Sequence, residues 1–286
     1  MPRVSALIVS YDTRDLLLGA LASLAAEPDV EAIVVDNAST DGSPEAVAER
    51  FPGVALIRSP TNVGFAAATN RAAREAHAPL LLLLNPDAAL CPGALDMLIA
   101  FLEDQPRVAA VAPTLVYADG QLQDNAFRFP GLAQLLLDLF PVGRLTASSL
   151  NGRVRATAPV RIDHPLGACV LIRRAAWDEV GPLDEGYFMY VEEVDWCRRA
   201  ASRGWQVWFE PRARAVHASG AATRQHADAM LAQLWRSRLR YYQRFYGPAY
   251  NRLVHAVVRL GMRAEARRTR SAARRRAIAC VRQLVA

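Results

Sequence analysis

Lysine is absent: all 34 basic side chains are arginine, a bias of codon usage from which no function is read. Cysteine is sparse. Cys91, Cys169, Cys197 and Cys280 lie far apart with no CxxC pair, which argues against a zinc ribbon or disulfide framework and fits a reducing compartment. No apolar run reaches the roughly 18–20 residues that a membrane-spanning helix needs. The opening "MPRVSALIVSYDTRD" carries a short apolar run, but Tyr11, Asp12, Arg14 and Asp15 follow at once. It reads as a buried strand and not as a secretion signal. Tandem repeats are not evident.

What is present is a soluble globular composition, 52% hydrophobic and 22% charged, on 286 residues. That length can bury a sizeable core as one large domain or one domain with an appendage. Charge is unevenly divided. Residues 1–228 hold 20 Arg against 27 acids, a net of −7, whereas residues 229–286 hold 14 Arg and the single acid Glu265, a net of +13. An acidic body carries a basic tail.

The first half alternates strand and helix signals. "VSALIVSY", "EAIVVDNAS", "VALIRSP" and "PLLLLLNPD" read as strands. Between them lie a helix capped at Thr13, a helix with Pro44 in its first turn, and a Gly64-bearing loop leading into a third helix. Continuously apolar strands separated by helices predict a parallel sheet covered on both faces, with ligands beyond the carboxyl ends of the strands. Ser10, Tyr11, Asp36, Asn37 and Asp87 fall at those ends. "GALDMLIAFLED" predicts a helix and "VAAVAPTLVY" a strand. Residues 118–160 read as a loop with an amphipathic insertion. A strand and helix in "GACVLIRRAAWDEVG" and strands ending at His217 follow, and from about Asp228 the chain turns helical and basic.

Three carboxylates stand out at a second place. "YFMYVEEVDWCRR" packs Glu192, Glu193 and Asp195 into four positions behind an apolar stretch. The plainer reading is a solvated helix face balanced by Arg198 and Arg199; the sharper one is a cavity edge where burial raises one pKa toward that of a general base. Asp87 likewise reads either as a turn former after a strand or as a ligand-binding carboxylate.

Taken together, "ALIVSYDTRDLL", "IVVDNASTDGS", "NVGFAAATNRA", "LLLLNPDA", "GACVLIRRAAWDEVGPLDEGYFMYVEEVDWCRRAASRGW" and "AVHASGA" resemble a family 2, GT-A fold glycosyltransferase of the rhamnosyltransferase-like branch, over about residues 3–220. The resemblance implies an α/β nucleotide-sugar-binding fold in residues 1–227, with a donor half at 1–117 and an acceptor half at 118–227, followed by a helical tail at 228–286. It implies that Asp36 recognises the nucleotide base, with Ser10 and Tyr11 lining the same pocket. Asn62, Gly64, Phe65 and Asn70 would shape the donor pocket, although a tight loop and helix start explain them as well. "NPD" stands where the family carries its DxD-type motif, so Asn85 is a neutral substitute and Asp87 must supply the charge. His217 matches the family's late metal-ligating His, giving a Mn²⁺ or Mg²⁺ site. Glu193 stands where Asp is more common and is the expected base of an inverting displacement. Glu192 would bind acceptor hydroxyls, and Asp195 reads as structural. Trp177, Trp196, Trp205 and Trp208 read as core, with stacking on an acceptor the alternative for Trp196.

The implied donor is a nucleoside diphosphate sugar, dTDP-rhamnose ahead of UDP-sugars, and the implied acceptor is a glycan or lipid-linked saccharide. In the tail, Leu253, Val254, Val257, Val258 and Met262 fall on one helical face with Arg252, Arg259 and Arg263 off it, which suits an anionic membrane surface. The expected location is cytoplasmic, peripheral on the inner face of the cell membrane. The plainer reading of the tail is a solvated or dimer-forming helix, and two other readings stand beside it. The Arg- and Tyr-rich tail could bind nucleic acid, which the body's negative charge and the donor motifs weigh against. The substitutions Asn85 and Glu193 could mark an inactive sugar-nucleotide binder.

Overall fold

A computed structural model of the chain describes residues 1–146, 148–218 and 227–286. Strands β1 (Val4–Ser10), β2 (Val30–Asp36), β3 (Ala55–Arg58) and β4 (Leu80–Leu84) alternate with helices α1 (Arg14–Leu24), α2 (Ser43–Arg50) and α3 (Phe65–Glu75). Strand β5 (Ala88–Leu90), helix α4 (Ala94–Asp104) and strand β6 (Val108–Val116) follow. The segment 118–160 is less irregular than its sequence suggests. It holds β7 (Leu122–Gln123), β8 (Ala126–Phe127), α5 (Leu132–Leu139) and α6 (Gly143–Thr146), and reaches β9 (Val160–Ile162). Beyond it come β10 (His164–Pro165), β11 (Cys169–Arg173), α7 (Arg174–Val180), α8 (Glu192–Ser202) and β12 (Gln206–His217). The chain ends in α9 (Ala227–Phe245), α10 (Pro248–Arg268) and α11 (Ala272–Leu284).

The main sheet runs β3-β2-β1-β4-β11-β6-β12-β5. The first four strands are mutually parallel, as are β6 and β12, but β11 is antiparallel to both β4 and β6, and β5 is antiparallel to β12. The sheet is therefore mixed and mostly parallel, not wholly parallel. Reversal of β11 has a consequence for the site: its first residues return to the rim where β4 ends. The expected strands before His217 are one strand, β12, with a register irregularity between Glu210 and Arg214.

Five consecutive leucines make sense at the centre of this sheet. Leu80, Leu82 and Leu84 join the cluster of Leu17, Leu21 and Leu98, whereas Leu81 and Leu83 join Ala68, Ala72 and Trp177 on the other face. A strand alternates its side chains between faces, so only a run apolar at every position can be buried on both. Each leucine contributes roughly 2 kcal/mol by leaving water. Thr13 occupies the cap position of α1 but makes no cap bond; its Oγ1 lies 3.0 Å from Ser10 Oγ, and Asp41 Oδ2 instead accepts from Arg14 N at 2.8 Å.

The tail is packed, not free. Val254, Val257, Val258 and Met262 of α10, with Ile278 and Val281 of α11, share a buried cluster with Leu135, Tyr187, Val191 and Val194. Of the apolar face expected to meet a bilayer, Leu253 remains exposed and the other four residues are covered by the protein itself. Among the described residues no helix is long and apolar enough to cross a membrane.

Candidate active site

The parallel register sets Ser10 beside Asp36 at the ends of β1 and β2. Asp36 is buried. Its Oδ2 accepts from Ser39 N at 3.1 Å, while Oδ1 has no protein partner. A buried acceptor left without a donor costs about 1–3 kcal/mol, so this oxygen suits a ligand N–H or O–H. The turn around it is tied to the β1 end, since Ser39 Oγ accepts from Asp12 N at 3.0 Å and Asp12 Oδ1 accepts from Thr40 N at 2.7 Å. Tyr11 is half-buried at the same end. Asn37 Nδ2 donates to Asn62 Oδ1 at 2.8 Å, and Asn37 Oδ1 accepts from Val63 N at 2.9 Å, so Asn37 ties the end of β2 to the turn before α3. Gly64 has a different duty. At φ 86° its missing Cβ would lie 2.4 Å from the Phe188 carbonyl oxygen, which accepts from Phe65 N at 2.7 Å. Asn70 is a structural pin, bonded through both side-chain atoms to the backbone of Leu183.

One strand further along the rim, Asn85-Pro86-Asp87-Ala88 forms a tight turn closed by Ala88 N to Asn85 O at 3.0 Å. Pro86 presets its first corner. Asp87 meets His217 because β5 and β12 pair with His217 opposite Ala88, and Ala218 N donates to Asp87 O at 2.9 Å. His217 Nε2 lies 3.3 Å from Asp87 Oδ1, with both side chains nearly buried. Gln123 Oε1 sits 2.8 Å from His217 Nδ1. With Nδ1 donating to that oxygen, Nε2 turns its lone pair toward a carboxylate, and two facing acceptors suit a shared divalent cation. The donor set therefore fits a hard or borderline metal ion. Among the described residues no group of three or more His, Cys, Asp or Glu side chains gathers in this way.

The acidic pair opens α8. Tyr190 and Val191 precede it in the left-handed region, φ 70° and 75°, which is strained for a β-branched valine. Glu192 is buried and its Oε2 has no protein partner. Burial, and then the charge of Glu193, push its carboxyl well above the usual range. Glu193 is partly exposed. Burial lifts its pKa too, although backbone N–H groups, including that of Gly167, pull the other way. Its side chain lies against Gly167, where an added Cβ would be 3.4 Å from Glu193 Cγ. The carbonyl of the next residue, Ala168, accepts from Asn85 N at 2.8 Å. Two short steps thus join the acidic pair to the Asp87 turn, and Asp36, Ser10, Asp87 and Glu193 share one rim. From β2 to β11 that rim crosses three strand spacings, about 14 Å.

Asp195 stands apart. It is fully buried, 2.7 Å from Arg199 Nε, 3.2 Å from Arg244 and 3.3 Å from the Tyr187 hydroxyl. With its oxygens so occupied it is an anchor and not an acid–base group. Trp196 is no sugar platform: it is buried, stacked on Trp177 at 5.9 Å, and its Nε1 donates to Gly181 O. Residues 219–221 of the "AVHASGA" block lie outside the described residues. Sequence reading missed Gln123 and Gly167; a glycine just before an apolar strand was the one available signal for the latter.

A mostly parallel, helix-flanked sheet with its polar groups at one rim is the GT-A fold. Solved structures share it at low identity. A mannosyltransferase from Pyrobaculum calidifontis, in complex with GDP-Man and Mn²⁺, superposes with a TM-score of 0.59 and 18% identity over 95% of this chain and 77% of its own. TarS of S. aureus gives 0.55 and 15% over 100% and 90%. Residues 5–181 match Glycosyl transferase family 2, and the chain belongs to that family. An N-acetylglucosaminyl-diphospho-decaprenol L-rhamnosyltransferase of Mycobacterium tuberculosis is 31% identical over 230 residues, 73% of each protein. Rhamnosyltransferase WbbL of Escherichia coli is 24% identical over 74% of this chain and 81% of its own length. The protein is a rhamnosyltransferase-like glycosyltransferase.

Proposed function

We propose that this enzyme transfers a sugar, rhamnose in first place, from a nucleoside diphosphate to a hydroxyl of a glycan or lipid-linked saccharide, with inversion. The observation that carries the reading is the pair of buried acceptors without protein partners, Asp36 Oδ1 and Glu192 Oε2, at the two ends of one rim. Asp36 receives the nucleotide base, with Ser10, Tyr11 and Asn62 around it. Glu192 receives acceptor hydroxyls. Glu193, its proton affinity raised by burial, removes the proton from the attacking hydroxyl. A single displacement from the face opposite the diphosphate needs one base and no second nucleophile, which is why it inverts the anomeric carbon. Asp87 and His217 would hold Mn²⁺ or Mg²⁺; when bound, such an ion neutralises charge on the departing diphosphate. Residues 1–117 serve the donor and 118–227 the acceptor. dTDP-rhamnose leads UDP-sugars because two relatives bear rhamnosyltransferase names.

The test is thermal-shift screening with dTDP-, UDP- and GDP-sugars, each with and without Mn²⁺. A donor at about 100 times its Kd adds roughly 2.7 kcal/mol of stability, so the preferred nucleotide raises Tm visibly. No shift and no turnover with any nucleotide sugar would overturn the reading.

The basic tail, 228–286, is proposed to rest on an anionic membrane surface. With its main apolar face buried, the contact must come from exposed Leu253 and Leu260 flanked by Arg252, Arg263 and Arg267. Each arginine near anionic headgroups adds about 1 kcal/mol. The intact protein should float with anionic vesicles and not with zwitterionic ones, and replacing these three arginines by glutamine should abolish flotation. Equal flotation of both proteins would reject the contact.

A further inference from the structure

We infer that α9 is a positioning element of the active site: Ser237, Arg240 and Arg244 hold the 184–191 loop, and through it the Glu192–Glu193 pair, in the geometry that transfer requires. The inference rests on the transferase reading for its consequence, but its physical basis is independent of it.

These residues lie on one face of α9, spaced by three and four positions. Ser237 Oγ donates to Met189 O at 2.7 Å. Arg240 NH2 reaches both Asp184 carboxylate oxygens, at 3.0 and 2.8 Å, and its guanidinium lies 5.3 Å from the Tyr187 ring centre. Arg244 pairs with Asp184 and, at 3.2 Å, with Asp195 on α8. Tyr187 closes the circuit through its hydroxyl to the same Asp195 oxygen. The loop runs directly beneath Arg240, since a Cβ on Gly186 would lie 2.3 Å from the guanidinium carbon. A side chain there would displace the Arg240 guanidinium from its place over the loop.

Such a hold has a physical purpose. Tyr190 and Val191 sit in left-handed conformations, each costing on the order of 1–3 kcal/mol, and a loop in that state relaxes unless its surroundings fix it. Relaxation would rotate the two glutamates that follow directly in sequence. The opposite edge of the loop is held by Phe65 N on the Phe188 carbonyl, next to Gly64. The loop therefore spans from the donor side to α9, and α9 supplies its outer support. A misplacement of about 1 Å at reacting groups can lower a rate roughly 100-fold.

The experiment uses the full chain with Ser237→Ala, Arg240→Met, Arg240→Lys and, as a control, Gln243→Ala, an exposed position on the same helix. Readouts are amide hydrogen exchange of residues 185–191, Tm, donor KM and the pH profile of kcat. In Arg240→Met, exchange in the loop should quicken about ten-fold or more and kcat should fall about 10–100-fold. Donor KM should change far less, and the acid limb of kcat should move as the pair gains water. Arg240→Lys should recover only part, because an ammonium can reach Asp184 but lacks the planar guanidinium that lies over the Tyr187 ring. Ser237→Ala should act in the same direction more weakly, and it keeps the test alive if the arginine variants fold poorly. The control should change nothing. Unchanged loop exchange in Ser237→Ala and Arg240→Met overturns the inference, as does a kcat loss with an unmoved pH profile. If the wild type transfers no sugar from any donor, the transferase reading falls, and loop exchange alone decides whether α9 holds the loop.

Discussion

At one end of the rim, Asp36 is held by Ser39, Asp12 by Thr40, and Asn37 by Asn62 and Val63. At the acid end, Glu193 leans on Gly167, Asp195 on Arg244, and the intervening loop on Ser237 and Arg240. Every partner in the first set lies within 65 residues of the start of the chain. Those in the second come from separate elements further along the chain, up to 56 residues from the groups they hold, as Arg240 is from Asp184. A locally built site tolerates distant change, whereas one assembled from remote elements can be disabled from outside.

Two buried acids one turn apart on α8 sharpen that contrast. Asp195→Ala should give the larger effect: removing a fully buried carboxylate leaves Arg199 and Arg244 without their shared partner, at a cost of roughly 3 kcal/mol of unfolding free energy by denaturant titration. Glu192→Gln should do the opposite on a smaller scale. Because burial raises the folded-state pKa of Glu192, the folded protein binds more protons than the unfolded chain above the ordinary carboxylate pKa, and stability drains away as pH rises from there through the folded value. The glutamine variant lacks that loss. Its Tm should exceed that of the wild type by roughly 2–4 °C at pH 8, and the gap should close near pH 4. A gap independent of pH would remove the electrostatic account of Glu192.

The same contrast governs what was legible. Strands β1 and β4, and β2 from Ile33 onward, announce themselves because strands buried on both faces are nearly apolar throughout, and Asp36, Asp87 and His217 could be placed as the polar residues ending such runs. Register then did what sequence could not display: His217 meets Asp87 only because β5 and β12 pair antiparallel. Gln123 had no local signal, since it acts from a two-residue strand beside β6. Thr13 stood in a capping position, but Ser10 and Asp41 competed for the two roles and changed the outcome. The tail's periodicity was readable and its partner was not. An amphipathic face looks the same whether lipid or protein covers it, and here α5, α9 and α11 cover it.

Donor affinity and turnover can be separated by measuring both on Asp87→Ala and Glu193→Gln with nucleotide sugar and Mn²⁺. Asp87→Ala should lose the metal-dependent part of donor binding. Glu193→Gln should bind donor within about two-fold of the wild type while transfer falls by about 100-fold to 10,000-fold, the usual contribution of a positioned base. Turnover that survives Glu193→Gln, or donor binding indifferent to Asp87, would contradict the account of one rim that holds a diphosphate at one point and deprotonates an acceptor at the next.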